Sequence, residues 1–131
     1  MSRLLLDTCA LIAYAKGHEP ARSRILDLID SGAEIGVCAI NVAEFYSRLP
    51  PGERTRWQRF FDTLEYWDIP LTAAILAGSD RYDFKRRGRS LSVADVLIAA
   101  TARQHGAVVV TDNVRDYPMA GIEILPQSEG R

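Results

Sequence analysis

Carboxylates are the residues in this chain whose types and positions could do chemistry. Asp7 directly follows the apolar run Leu4-Leu5-Leu6, and Asp112 directly follows Val108–Thr111. Glu44 and Asp95 fall in the first turns of helical stretches that begin past other strands. In an open α/β sheet, sites form at the carboxyl ends of the strands, so these acids are delivered to one sheet edge. Three or four carboxylates gathered there repel one another, and a divalent cation removes that cost. Hard oxygen ligands, with water in the remaining positions, suit Mg2+ or Mn2+. The chain has no Gly-rich phosphate loop, no Ser-His-Asp set and no Cys-His set. A bound ion must then supply both the electrophile and the activated water, which is metal-assisted phosphoryl chemistry.

Each acid also has a purely structural reading. Ser92 can cap a helix with Asp95 at its third position, and Asn41 stands in the same relation to Glu44. Asp7 can be a turn or cap residue between a strand and a helix. Capping and catalysis are compatible, because a helix N-terminus stabilises an anion. Asp95 carries the most information. Its helix is nearly all apolar through Val93, Ala94, Val96, Leu97, Ile98, Ala99, Ala100 and Ala102, so it is buried on most sides. An ionised carboxylate on such a helix needs a partner.

The elements that must position these acids follow from pattern and punctuation. Arg3–Leu6 reads as a short buried strand and Thr8–Ala15 as a helix ended by Gly17. Pro20 opens a second helix with the stripe Ile25, Leu26, Leu28 and Ile29, and Gly32 stops it. Ile35–Cys38 is a second strand. Asn41 caps a third helix, which Pro50-Pro51-Gly52 breaks, and a fourth helix runs over about 53–64. Tyr66–Ile69 is a candidate strand. A long helix extends from Pro70 to about Arg87, where Gly88 ends it, and Ser92–His105 is another. Ala107–Val110 and Ile122–Leu125 are the remaining strands, and the polar tail Gln127–Arg131 is expected to fray. Short apolar strands alternating with helices predict an α/β fold: a three-layer α/β/α sandwich with a central, mostly parallel sheet.

The chain has 131 residues, of which 47% are apolar and 25% charged, which fits one domain over 1–131. No apolar run approaches the roughly 20 residues that span a bilayer. Leu4–Leu6 is too short and wrongly flanked for a signal peptide, so the expected location is cytoplasmic. Cys9 and Cys38 form no disulfide framework and no CxxC pair. With His18 and His105 far apart, a structural zinc site is excluded. The net charge of -1 rules out a polycation, yet all basic residues except Lys16 and Lys85 are Arg, the better bidentate phosphate partner.

Taken in order, the segments Leu4-Leu5-Leu6-Asp7-Thr8, Asn41-Val42-Ala43-Glu44-Phe45, Ser92-Val93-Ala94-Asp95 and Val110-Thr111-Asp112-Asn113, followed by Arg115-Asp116-Tyr117, resemble the PIN-domain family. Within it they resemble the VapC toxins of bacterial toxin–antitoxin pairs. The match in order and spacing covers about residues 3–125. The resemblance implies a PIN-like fold and an endoribonuclease that uses Mg2+ or Mn2+. It also implies a homodimer, and neutralisation by a small antitoxin encoded beside the toxin. It puts Asp7, Glu44 and Asp95 at the family's first three acidic positions. The usual fourth falls on Asn113, with Asp112 one residue early and Asp116 three residues late. Asp116 is the preferred fourth acid and Asp112 the second choice, with Asn113 as a neutral ligand. Cys9 stands where these proteins often have Ser or Asn, a tolerated packing change.

Thr8, Arg86, Arg87 and Arg89 are the expected substrate contacts. From Arg81 to Arg89, five positive charges face only Asp83, which suits either a solvated helix end or contact with RNA phosphates. Trp57, Phe60, Phe61 and Leu64 lie at helical spacing and serve core or dimer packing, or else a groove for an antitoxin helix. The reading is hydrolysis of an RNA phosphodiester, with Asp7, Asp95 and the fourth acid holding one or two cations. Glu44 binds a second cation or orients the attacking water. A catalytically weak RNA-binding module is the alternative, and a metal-dependent phosphatase is a further one, disfavoured by the lack of an Asp-x-Asp pair after the first strand.

Overall fold

The structure, a computed structural model, describes residues 2–127. The last four residues of the expected polar tail, 128–131, lie outside the described residues. Among the described residues, five strands form one sheet: β1 (Arg3–Leu6), β2 (Glu34–Val37), β3 (Glu65–Tyr66), β4 (Val108–Val110) and β5 (Ile124–Leu125). Their order is β3-β2-β1-β4-β5, and every pairing is parallel.

Among the described residues, six α-helices cover the sheet: α1 (Thr8–Ala15), α2 (Ala21–Asp30), α3 (Ala39–Tyr46), α4 (Arg54–Phe61), α5 (Leu71–Arg86) and α6 (Val93–His105). The three leucines of β1 show why three layers form. Successive side chains of a strand point to opposite faces. Leu4 and Leu6 join the α1, α2 and α4 side with Leu11, Ile25 and Trp57, while Leu5 joins the α5 and α6 side with Ala77, Ile98 and Ala99. Leu5 and Leu6 have no exposed surface, and each contributes about 2 kcal/mol by burial.

The elements follow the sequence pattern, with differences at their ends: the strand expected over 122–125 is Ile124–Leu125, α3 stops at Tyr46 before the Pro50-Pro51 break, and α4 stops at Phe61. Asn41 does not cap α3. The N-cap is Cys38, in extended backbone, and Asn41 is the third helical residue. Its amide oxygen accepts from the Cys38 N–H at 2.8 Å, and its Nδ2 donates to the Leu6 carbonyl at 2.5 Å. Glu44 therefore sits in the second turn of α3, not the first. The expected strand over 66–69 shortens to Glu65–Tyr66, because the N–H of Trp67 closes the ladder on Val37 and the indole then turns inward, 5% exposed. The His105 Nε2 meets the Asp68 carbonyl at 3.1 Å and its ring stacks on Trp67 at 5.4 Å. Gly106 ends α6 in the left-handed conformation at φ +63°.

Trp57, Phe60 and Phe61 prove to be packing residues. They meet Tyr14, Phe45 and Tyr46 in edge and stacked contacts at 5.0–6.2 Å. Among the described residues, no helix is long and apolar enough to cross a membrane.

β1 is the strand at which the connections reverse. The chain runs from β1 to β2 on one side and returns through α5 and α6 to β4 on the other. In doubly wound sheets the crevice past that reversal is where ligands bind. Asp7 is the first residue past β1.

Candidate active site

Asp7 is held by both neighbouring elements. Its backbone N–H extends the β1–β4 ladder to Val110 at 3.1 Å, and its carbonyl accepts the first helical bond of α1 from Leu11. Its carboxylate caps α1 by accepting from the Thr8 N–H at 2.7 Å. The second oxygen accepts from the Thr111 hydroxyl at 2.9 Å. Only 5% exposed, the Asp7 carboxyl is raised by burial, and the hydrogen bonds from Thr111 and Thr8 pull it part of the way back.

Glu44 reaches the same place from α3. Its Oε1 accepts from the Thr8 hydroxyl at 2.5 Å, so Thr8, expected as a substrate contact, orients Glu44 and lines the same cleft. Asp95 arrives at the N-terminus of α6, where its N–H donates to the Ser92 hydroxyl at 3.0 Å. The capping reading of Ser92 is thus met, and the carboxylate is still available. Burial pushes the Asp95 carboxyl up to about 6, and the charges of Asp116, Asp7 and Glu44 add to it while Ser92 opposes. Acids from four separate segments are therefore close enough to act on one another.

The segment after β4 separates its acids by direction. Thr111 turns to Asp7. Asp112 turns the other way, where it accepts from the Gln127 N–H at 2.9 Å. Asn113 lines the acid cleft, and its N–H donates to the Thr111 hydroxyl. A single 3-10 turn over Val114–Asp116 follows, closed by the Asp116 N–H on the Asn113 carbonyl at 3.0 Å. That turn brings the Asp116 charge back towards Asp95.

Asp7, Thr8, Cys9, Ile12, Glu44, Arg48, Asp95 and Asn113 enclose a polar cleft of about 250 Å³. A larger cleft, about 380 Å³, lies between α5 and α6, but it is apolar and contains no acid; the chemistry selects the smaller one. The basic run is not in the cleft wall. Arg86 and Arg87 lie against Tyr82 and Phe84 of their own helix, at 5.8 and 4.3 Å from the ring centres. Arg89 donates to the Arg115 carbonyl, which ties the loop before α6 to the turn that carries Asp116.

The PIN-domain profile matches residues 4–118, which is most of the chain. The chain belongs to the PIN-domain family. Ribonuclease VapC19 of Mycobacterium tuberculosis is 27% identical over 88% of this chain and 92% of its own length. The tRNA(fMet)-specific endonuclease VapC of Shigella flexneri is 26% identical over 92% of this chain and 94% of its own. The crystal structure of DNA-bound VapBC from Salmonella typhimurium contains a chain that superposes with a TM-score of 0.78, at 28% identity, over 97% of this chain and 99% of that one.

Several residues of this PIN domain were not picked out as site residues from the sequence. The parallel pairing of Leu6 with Val110 places Thr111 directly beside Asp7, a signal present in the strand pattern itself. Cys9 is more than a packing substitute. Its Sγ lies 3.2 Å from both the Thr111 hydroxyl and the Gln127 amide oxygen, and 3.7 Å from Asp7. Burial pushes the Cys9 thiol up, so it serves as a neutral donor. The Tyr117 hydroxyl is buried beside the Asp7 carboxylate. Burial, then the charges of Asp7 and Asp95, push it far up. Arg48, two residues past α3, had no signal in local pattern.

The donor set of this PIN domain fits a hard divalent cation. Asp7, Glu44, Asp95, Asp116 and Asn113 all offer oxygen, and the charges of Asp116, Asp7 and Glu44 make the Asp95 carboxyl costlier to ionise. Among the described residues, no three His, Cys, Asp or Glu side chains converge tightly enough to hold an ion alone.

Proposed function

We propose that this protein is a Mg2+- or Mn2+-dependent endoribonuclease acting in the cytoplasm as the toxin of a toxin–antitoxin pair. One observation carries the reading: Asp7, Glu44 and Asp95, from three separate segments, line one cleft at the strand reversal, where burial, with the charges of Asp116, Asp7 and Glu44 adding to it, pushes Asp95 up to about 6. Relatives over nearly the full length are named ribonuclease and tRNA-specific endonuclease, which supports RNA as the substrate.

Asp7, Asp95 and Asp116 are the residues that would hold the ion, with Asn113 adding a neutral amide oxygen. The ion, when bound, supplies the electrophile and lowers the proton affinity of the attacking water. Glu44, its carboxylate fixed by Thr8, holds that water or a second cation. Burial of Asp7 limits solvent around the reacting phosphate and strengthens every charge interaction there.

The partners follow from the remaining surface. A groove lined by Ile12, Phe45, Leu49 and Trp57 runs beside the acid cleft, and it suits the apolar face of an antitoxin helix. Leu71, Ile75, Leu76 and Tyr82 of α5 are exposed, a face suited to a second copy of the chain. The competing reading, a catalytically weak RNA-binding module, draws on Asn113 standing at an acidic position. Incubating the protein with mixed-sequence RNA, and separately with p-nitrophenyl phosphoesters, separates the readings. Cleavage of RNA alone, dependent on Mg2+ or Mn2+ and stopped by a chelator, is the expected result. Tight RNA binding without cleavage favours the module, and turnover of the small esters favours a phosphatase.

A further inference from the structure

The acid cleft has a charge problem that one divalent ion does not solve. Asp7, Glu44 and Asp95 line it and Asp116 acts on it. An ion of charge +2 leaves two negative charges uncompensated, and an incoming phosphodiester adds another. Among the described residues lining the cleft, Arg48 is the only cation.

Its guanidinium is also uncommitted. Arg48 stands four residues after Glu44, the spacing at which a Glu–Arg pair normally forms on a helix. That pair is not made: Arg48 lies past the end of α3, and Glu44 Oε1 accepts from the Thr8 hydroxyl at 2.5 Å. The ion pairs among the described residues are Arg3–Glu34, Arg56–Glu53 and Arg103–Asp80, and Arg48 is in none of them. Two residues beyond the end of α3, it is exposed, with its backbone N–H anchored on the Phe45 carbonyl. By contrast, Arg86, Arg87 and Arg89 are engaged by nearby rings or backbone carbonyls.

We propose that Arg48 is the phosphate-binding residue of this site, donating its fork of N–H groups to non-bridging oxygens of the RNA at or next to the scissile phosphate. The proposal rests on the ribonuclease reading. A planar guanidinium matches two phosphate oxygens at once, which an ammonium does not. The assignment has a consequence of opposite sign on the two ligands: the same positive charge that attracts phosphate repels the metal ion.

The test compares the parent with Arg48→Ala and Arg48→Lys. Cleavage of a mixed-sequence single-stranded RNA is followed at several salt concentrations, and Mn2+ alone is titrated by calorimetry. Arg48→Ala should lose tenfold or more in kcat/KM. Its salt dependence should flatten by about 0.7 in log–log slope, one contact's worth for a single strand. Its affinity for Mn2+ should be equal or higher. Arg48→Lys should keep most of the salt slope and recover only part of the rate. Unchanged kcat/KM and salt slope in Arg48→Ala overturn the proposal. So does weakened Mn2+ binding, which marks a structural role, and so does unchanged cleavage with impaired binding of an antitoxin. If the parent binds Mn2+ but cleaves no RNA, the ribonuclease reading itself fails, and the assignment of Arg48 fails with it.

Discussion

Asp95 combines a structural and a chemical task in one residue. Its N–H completes the Ser92 cap while its carboxyl, half-buried among other acids, is pushed up to about 6 from an ordinary value of 3.8. A carboxyl raised in the folded state binds its proton more tightly there than in the unfolded chain. In the absence of metal it therefore destabilises the fold fully above about pH 6 and not at all below about pH 4. Metal-free protein should gain stability as the pH falls from 7 towards 5. Asp95→Asn should flatten that part of the profile and raise stability at pH 7 by ~1 kcal/mol, after discounting for the exposed half of the group. Melting curves across pH 4–7 in a chelator check this, and an identical profile for both proteins contradicts it. The neighbouring acids are ranked by direction. Asp116 acts on Asp95 whereas Asp112 caps the Gln127 N–H, so Asp116→Asn should lower Mn2+-dependent kcat/KM more than tenfold, or about 1.4 kcal/mol. Asp112→Asn should cost less activity, and the reverse order counts against this placement. The two directions could be anticipated from the alternation of residues leaving a strand. Arg48 could not, because its place depends on where α3 ends relative to α1.

At the scale of elements, short apolar runs and their punctuation were enough to locate the six α-helices and five strands of the described residues, though not the 3-10 turns at 51–53 and 114–116. The ends were harder where a side chain overrides the local pattern. Asn41 has the composition of a cap, but fully buried it does better as the third helical residue, where its amide joins α3 to the end of β1. The strand expected over 66–69 stops early because Trp67 must turn into the core, and Gly36 makes the room. A Cβ at Gly36 would meet the Trp67 ring at 2.5–2.6 Å. Gly36→Ala should therefore destabilise the fold by ~1–3 kcal/mol, since the indole, stacked on His105, must shift to make room. A chemical-denaturation midpoint no lower than the parent's would show that the ring moves aside. Such a long-range fit, between residues more than thirty positions apart, leaves no trace in periodicity.

For the whole molecule, the parallel order β3-β2-β1-β4-β5 is what makes a site out of scattered acids. No single segment holds two of the three acids Asp7, Glu44 and Asp95, and only the reversal at β1 gathers them. The ordered set of motifs in the sequence implied that gathering through resemblance. The spacing alone implied only that the acids lie at strand ends and helix starts. If the cluster is a metal site, Mn2+ binds the folded state alone and stabilises it by mass action. Free Mn2+ at ten times its Kd should raise Tm by roughly 4 °C, and Asp7→Asn should reduce that gain. An unchanged Tm at millimolar Mn2+ counts against a cation in the cleft.

The central claim is that these carboxylates form one metal-dependent ribonuclease centre, and single-turnover RNA cleavage under a Mn2+ titration tests it most directly. The comparison is between the parent and Asp95→Asn, both shown to be folded by their melting curves. The account predicts cleavage by the parent that rises with Mn2+ and vanishes in chelator. For Asp95→Asn it predicts a loss of at least a hundredfold, about 2.7 kcal/mol of transition-state stabilisation, at every Mn2+ concentration. A folded Asp95→Asn that cleaves as the parent does, or a parent that cleaves equally well in chelator, would contradict it.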